Sequence, residues 1–412
     1  MKNIGIVFLY IKRFFVLLSF VFLFFSCSGE AFVRLSIERT ISLDFGRFED
    51  EIVFFPIDGK VLEKDLNIFL RNGRFFISNA SVAKVMEFSS YGELLRLWYN
   101  PGVNPLPVSV ATEGDTVSTR KAFSHGFVQN ESIAVTSSMS LYVEDYVASG
   151  YSDFSNSSNN QVVLRFDSSG TFKDYIGREG VAGSPFPYIV SINVTVNDEL
   201  VVICRQLYSW DVYVFTVDGS LEYFKSFSLS SLPLPDGYSP DSLTPSIDTV
   251  VSDFDGNGVY VKYDYFIKDK DTDTGSFSGL SKYISRVYFY DFKDKKYLTY
   301  MELPEINLQK EQRAFARSIA DFTVPYDFIG AASGNKLFFV RKQSEKDDLE
   351  LLIYDLKKEL QKKFILDMPY SDPLYVSYTV SPEGILGAII VTNDGADLVW
   401  WRTDSILYGK GQ

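Results

Sequence analysis

The chain has 412 residues, 53 acidic against 40 basic side chains for a formal charge of −13, and a 46% share of apolar residues. An acidic balance of this size lacks the basic footprint that nucleic-acid phosphates demand, and it disfavours docking of the folded surface itself onto anionic headgroups. The 36 Phe and 26 Tyr are spread along the chain and favour strands, with nothing in the composition that suggests disorder.

In chain order, the first residues carry Lys2, Lys12 and Arg13 and no acid, ahead of the uncharged run from Phe14 to Phe25. That is the basic-then-apolar layout of an export signal. The run falls short of the ~20 residues of a spanning helix and stops at Ser26-Cys27. A small residue directly before a cysteine resembles the lipobox of bacterial lipoproteins, with Phe24 and Phe25 where that family prefers Leu and a small residue. The resemblance implies a signal peptide over residues 1–26, cleavage before Cys27, and acylation of that cysteine with palmitate-like chains. Several acyl chains at ~0.8 kcal/mol per buried methylene anchor a protein without a spanning helix. The expected location is exported and membrane-anchored by lipid, on a periplasmic face or the cell surface. Cys204, in the apolar run Leu200–Cys204, then has no disulfide partner and reads as a small core hydrophobe.

One phrase recurs after the leader: an aromatic residue, three positions, a turn residue, one position, an apolar residue. It occurs as Phe55…Gly59…Val61, Phe88…Gly92…Leu94, Phe166…Gly170…Phe172 and Phe215…Gly219…Leu221. With Lys or Asp in the turn place it occurs as Phe292…Lys296…Leu298, Tyr354…Lys358…Leu360 and Trp400…Asp404…Ile406. Each copy predicts a hairpin in which a strand ends at the aromatic residue and glycine supplies the positive φ of the turn. A second signal precedes most copies: Asn72-Gly73, Asn197-Asp198, Gly256-Asn257-Gly258, Gly334-Asn335 and Glu383-Gly384 each open a hydrophobic strand. The interval from Gly258 to Phe292 is about twice the others and reads as an inserted loop containing Lys268–Lys282. Two hairpins per repeat describe a four-stranded antiparallel blade, the unit of a β-propeller.

The segments Gly73-Arg-Phe-Phe-Ile-Ser-Asn79…Lys84-Val-Met-Glu-Phe88-Ser-Ser-Tyr-Gly92-Glu-Leu94 and Gln161-Val-Val-Leu-Arg-Phe166-Asp-Ser-Ser-Gly170-Thr-Phe172…Ile176-Gly177-Arg-Glu-Gly180 resemble NHL-type repeats of six-bladed propellers. The likeness is clear over about residues 70–225, and it implies an architecture and no activity. The expected fold is therefore an all-β propeller over residues 51–412, with six blades favoured and seven the alternative. Residues 27–50 form the lipidated N-terminus and tether, and the segment from Phe32 to Val61 is a candidate ring-closing strand. Glu345–Phe364 reads as a hairpin in repeat register, Glu305–Asp321 as a short helix between blades, and Asn100–Asn130, Ser149–Asn160 and Leu232–Pro245 as loops.

Candidate chemistry is sparse. His125 is the sole histidine, which nearly excludes a histidine-based zinc site, and nothing marks a nucleophile elbow, a Walker loop or a dinucleotide fingerprint. Asp253, Asp255, Asn257 and Gly258, followed by Asp264 at position twelve, match part of an EF-hand-like calcium loop. The competing reading, a hairpin turn required here by the repeat, is favoured because strand geometry would carry Asp264 away. Asp269, Asp271 and Asp273 read as a solvated acidic loop. Trp98, Tyr99, Trp400 and Trp401 read as blade core in preference to a ligand platform. No catalytic residue and no resident cofactor are expected, calcium being the one candidate. The expected function is a non-catalytic scaffold that binds an envelope protein, similar in outline to the propeller lipoproteins that assist outer-membrane protein assembly. Alternatives are a calcium-dependent lactonase or lyase with the ion in the central channel, and a surface adhesin.

Overall fold

The computed structural model describes residues 33–54, 64–112, 118–147, 160–270, 277–304, 325–342 and 348–408. The first copy of the aromatic phrase, the Glu305–Asp321 helix, Asp271, Asp273 and Cys27 lie outside the described residues.

Each described copy of the phrase with glycine folds into the same turn. Asp167 N–H donates to Thr171 O at 2.9 Å and Thr216 N–H to Ser220 O at 2.9 Å, as Ser89 N–H does to Glu93 O. Gly92, Gly170 and Gly219 sit at φ of 85°, 98° and 92°, and the strand register slips at Phe88, Phe166 and Phe215. The glycine therefore makes a bulge in the left-handed region where a Cβ would be strained, and the aromatic residue before it is the last paired position of its strand. In two copies without glycine the left-handed residue is Lys295 or Glu359, one place away from the expected lysine.

The described strands assemble into six sheets. Their innermost strands are Leu66–Arg71, Ile133–Val135, Tyr188–Val194, Leu243–Ser252, Asp327–Ala332 and Tyr375–Val380, and each sheet continues outward through at least three antiparallel neighbours, with parallel additions at the outer edges of the first and fifth. These six strands lie side by side around an axis, with their starts at one end and their finishes at the other. At the starts, Tyr375 Oη donates to Leu66 O at 2.8 Å and Asn130 Nδ2 donates to Ser78 Oγ at 2.6 Å. At the finishes, Ser137 N–H donates to Asp198 at 2.6 Å, Val196 N–H to Phe254 O at 2.7 Å, Ser333 Oγ to Asp255 at 3.1 Å, and Ser333 N–H to Pro382 O at 3.0 Å. The ring is a β-propeller.

Its core is not a single mass but six apolar clusters, one between each pair of adjacent sheets. The near-continuous apolar run Leu200–Cys204 follows from this: Val201 and Ile203 pack toward the fourth sheet, Leu200, Val202 and Cys204 toward the second. A strand buried on both faces needs no polar alternation. The strand Arg39–Leu43 pairs antiparallel with Ala396–Trp401, so the N-terminal segment completes the sixth sheet and closes the ring.

Several expectations need correction. The phrase at Trp400 is not a hairpin, because the outer edge of its strand is already taken by Arg39–Leu43; the chain instead turns into the helix Thr403–Tyr408, with Thr403 Oγ1 accepting from Leu386 N–H at 3.0 Å. Asn100–Asn130 is not all loop, since Lys121–Ser124 adds parallel to Leu94–Tyr99 and Ala111–Thr112 adds to it in turn. Leu243 to Pro245 already belong to a strand. The insert around Lys268–Lys282 prolongs a hairpin, with strands Gly258–Lys270 and Phe277–Asp291 far longer than their counterparts.

Candidate functional site: the central channel

The inner strand Leu66–Arg71 shows how the sequence builds a channel. Leu66, Ile68 and Leu70 fall in the cluster between the first and sixth sheets, so strand alternation leaves Asn67, Phe69 and Arg71 facing the axis. The other five inner strands contribute Val190, Val251, Ile329, Tyr378 and neighbours, enclosing a cavity of about 250 Å³. Among the described lining residues the charged side chains are Lys64 and Arg71, one near each end, and none is a carboxylate.

Where the inner strands begin, Lys64 Nζ donates to both oxygens of Glu144 at 3.0 Å and stands 3.4 Å from Glu131. Its third contact is the Ile189 carbonyl at 2.5 Å, and the Tyr188 ring lies 4.9 Å away. Glu144 is fully buried and also accepts from Gln161 Nε2 at 2.9 Å and Ser132 N–H at 3.2 Å. Burial and the adjacent Glu131 push the Glu144 carboxyl upward against the pull of the ammonium. Burial works against the Lys64 charge, but Glu144 and Glu131 together hold its pKa above the usual value. Next to this cluster, burial pushes Asp145 up to about 6, although it accepts Gln129 N–H at 2.7 Å and Val128 N–H at 3.1 Å. The lysine is committed to this network, which ties the first three sheets together.

Where the inner strands finish, Arg71 is held differently. Its side chain is 6% exposed, its nearest acid is Asp198 at 3.9 Å, and the Phe254 ring lies 5.6 Å from its guanidinium carbon.

The structure separates the calcium-loop candidates. Asp253, Asp255 and Asn257 occupy the turn between Leu243–Ser252 and Gly258–Lys270, where Asp253 accepts from Asn257 N–H at 3.1 Å and Tyr260 Oη at 3.2 Å. Asp255 reaches outward to Ser333 and Gly334 N–H, both at 3.1 Å, fastening the fourth sheet to the fifth. Asp264 lies six residues along the next strand, opposite Ser246 and Ser285, and accepts from Ser285 Oγ at 2.7 Å. At ~3.3 Å per strand residue it is on the order of 20 Å from the turn. No cluster of three or more His, Cys, Asp or Glu with metal-binding geometry occurs among the described residues. His125 packs among Phe127, Phe166 and Phe172, and burial lowers its pKa. Trp98 and Trp401 are fully buried, Tyr99 nearly so, and Trp400 packs tilted against Phe75 at 5.0 Å, so these rings are blade core.

Lys64, Glu131, Glu144 and Arg71 carry no motif, and sequence reading passed over them. The available signal was phase: Arg71 shares the parity of Asn67 and Phe69, opposite to the three core leucine and isoleucine positions.

No family model and no curated protein matches the chain. Solved structures resemble it distantly. A streptogramin B lyase matches at TM-score 0.35 and 11% identity over 88% of this chain and 98% of its own. A gluconolactonase from Xanthomonas campestris matches at 0.39 and 11% over 91% and 99%, and an oligogalacturonate lyase in complex with manganese at 0.40 and 9% over 83% and 78%. Likenesses of this degree carry nothing about activity.

Proposed function

We propose that this chain is a lipid-anchored, non-catalytic propeller of the cell envelope that binds a protein partner along the edge of its prolonged hairpin. The observation that carries the reading is that edge. The strand Phe277–Asp291 pairs on its outer side only as far as Arg286, opposite Glu302, with one further backbone bond from Leu303 N–H to Ser285 O. From 277 to 284 its outer side has no strand partner among the described residues. Leu280 and Tyr283 stand there 51% and 41% exposed, and Tyr238 Oη donates to Tyr283 Oη at 2.7 Å. Backbone N–H and C=O groups without a strand partner among the described residues, beside exposed apolar side chains, form a template for an added strand. A calcium-dependent lactonase or lyase is supported less well, because the described channel lining offers a hard cation two cationic neighbours, the Lys64 ammonium and the Arg71 guanidinium, and no carboxylate.

The anchor rests on Ser26-Cys27 and the uncharged run before it. No helix among the described residues is long and apolar enough to cross a membrane.

The test is a crosslinking pull-down from the protein's own cells. In a shortened variant, Ile267 and Ser281, which face each other, are joined by Asn-Gly in place of 268–280. One dominant envelope protein captured by the wild type and lost with the shortened hairpin, at unchanged melting temperature, is the expected result. Equal capture by both, or capture by neither, overturns the reading. Cys27→Ala is expected to move the protein from the membrane to the soluble fraction and to abolish palmitate labelling; a variant that stays membrane-bound overturns the anchor.

A further inference from the structure

A second feature is independent of any partner at the hairpin. The Arg71 side chain is 6% exposed and lines the central channel, yet its Nε and Nη1 are buried without a hydrogen-bond partner among the described residues. Asp198 stands 3.9 Å away and is already engaged, accepting Ser137 N–H at 2.6 Å and the Ser137 hydroxyl. A buried guanidinium with unsatisfied donors is costly to the folded protein, and the cost is recovered when an anion takes donors of that group. The Asp198 carboxylate nearby argues for a single charge on the anion.

The walls of the channel determine what the anion is attached to. Arg71 ends its inner strand, and Asn193, Ser252 and Thr379 lie at the last or next-to-last positions of theirs, so these three line the channel at the level of the guanidinium. Asn67, Ser191 and Thr249 follow further along the axis, toward the starts of the strands. None of these six side chains engages another group among the described residues, so their donors and acceptors are open to the channel. Apolar groups such as Phe69 and Val251 alternate with them, and hydroxyls, amides and C–H surface are therefore mixed along the whole length. A wall of that kind fits a molecule whose successive carbons carry hydroxyls, because such a molecule offers donors, acceptors and C–H faces at every level. We infer that the channel binds a short polyhydroxylated monocarboxylate, its carboxylate on Arg71 and its hydroxyls on the Ser, Thr and Asn side chains of the inner strands.

The probes are threonate and its longer homologue xylonate, titrated calorimetrically into the full chain beside butyrate, threitol and tartrate. Butyrate keeps the carboxylate without the hydroxyls, threitol keeps the hydroxyls without the carboxylate, and tartrate adds a second carboxylate. At least one of the two hydroxy acids is expected to bind once per chain and to raise the melting temperature, with each comparison compound at least about ten-fold weaker. Equal binding of any of the three overturns the proposal: butyrate would show that the hydroxyl-bearing wall is not read, threitol that Arg71 is not read, and tartrate that the site takes a dianion. Arg71→Met is expected to fold, to melt no lower than the wild type without ligand, and to lose binding by about ten-fold or more. Because the three comparisons use the wild-type chain, they decide the matter even if that variant does not fold. Binding of neither hydroxy acid to the wild type also overturns the proposal.

Discussion

The indole Nε1 of Trp98 donates to the carbonyl oxygen of Gly170 at 2.8 Å, so the core of the first sheet is bonded to a turn of the second. Trp98 also stacks on Phe123 at 5.7 Å and meets Phe166 edge-on at 6.2 Å. Trp98→Phe leaves a buried carbonyl unpaired and opens a void, a loss of about 2–4 kcal/mol read from the urea midpoint. Gly170→Ala is expected to destabilise as well. Its φ is +98° and a Cβ there would come within 2.3 Å of Phe123. Gly73→Ala is the control, since its φ of +69° is equally left-handed but a Cβ meets nothing within 4 Å. If both alanines cost the same, the ring of Phe123 contributes nothing and backbone strain accounts for the effect.

In the fifth sheet, Arg341 Nη2 donates to both carboxylate oxygens of Glu350 at 3.0 and 3.1 Å, with side chains 3% and 2% exposed. Tyr326 Oη also donates to Glu350, and the guanidinium lies 4.1 Å over the Tyr326 ring. Glu350→Gln leaves a buried cation without its counter-charge and is expected to cost about 3–5 kcal/mol in equilibrium unfolding. The double variant Arg341→Met, Glu350→Leu should recover a large part of that loss. A double variant no better than the single one would show that the pair gives more than mutual neutralisation.

The raised Asp145 pKa makes a pH prediction with a definite sign. Burial lifts the carboxyl from its ordinary 3.8 to about 6, so between those values the folded chain holds a proton that the unfolded chain has released. Stability from this group is therefore full below about pH 4 and is lost as pH rises through 6, on the order of 2–3 kcal/mol. Asp145→Asn should flatten the fall in unfolding free energy measured between pH 4 and pH 7. An unchanged slope would place the dependence elsewhere.

Cys204 is fully buried, and burial raises its thiol pKa well above the ordinary value. In a Cys27→Ala background it is the sole thiol, and it should resist alkylation in buffer and react at once in denaturant. Its labelling rate then reports opening of the interface between the second and third sheets.

Much of this architecture was legible because the repeated turn is a local device. The φ of Gly92, Gly170 and Gly219 is demanded within five residues, and so is the end of the strand at the aromatic. Where the outcome depended on distant residues, local pattern misled. Nothing near Trp400 reveals that Arg39–Leu43 already occupies the next edge, and nothing near Lys121 announces a parallel addition. The channel residues were hidden for the same reason. Arg71 looks like an ordinary strand-end arginine beside Asn72-Gly73, and only closure of six strands around an axis turns its parity into burial. In the calcium-like run, Asp253 lies in a turn and strand rise alone carries Asp264 away from it.

The pairing of Arg39–Leu43 with Ala396–Trp401, reinforced by Ser42 Oγ on Asp397 at 2.7 Å, joins residues 355 positions apart. A chain emerging from its N-terminus makes Arg39–Leu43 early and must wait for nearly its entire length before that strand has a partner. The antiparallel strands of five sheets can form by neighbouring hairpins as they appear, whereas Val33–Leu35 waits for Phe364–Leu366 of the fifth sheet and Arg39–Leu43 waits for the last strand of the sixth. Folding therefore ends with late pairings of very high contact order, and until then the molecule is an open arc with two uncovered sheet faces. Premature termination anywhere before Ala396 leaves that arc open, so the chain's quality as a folded product is decided in its final strand.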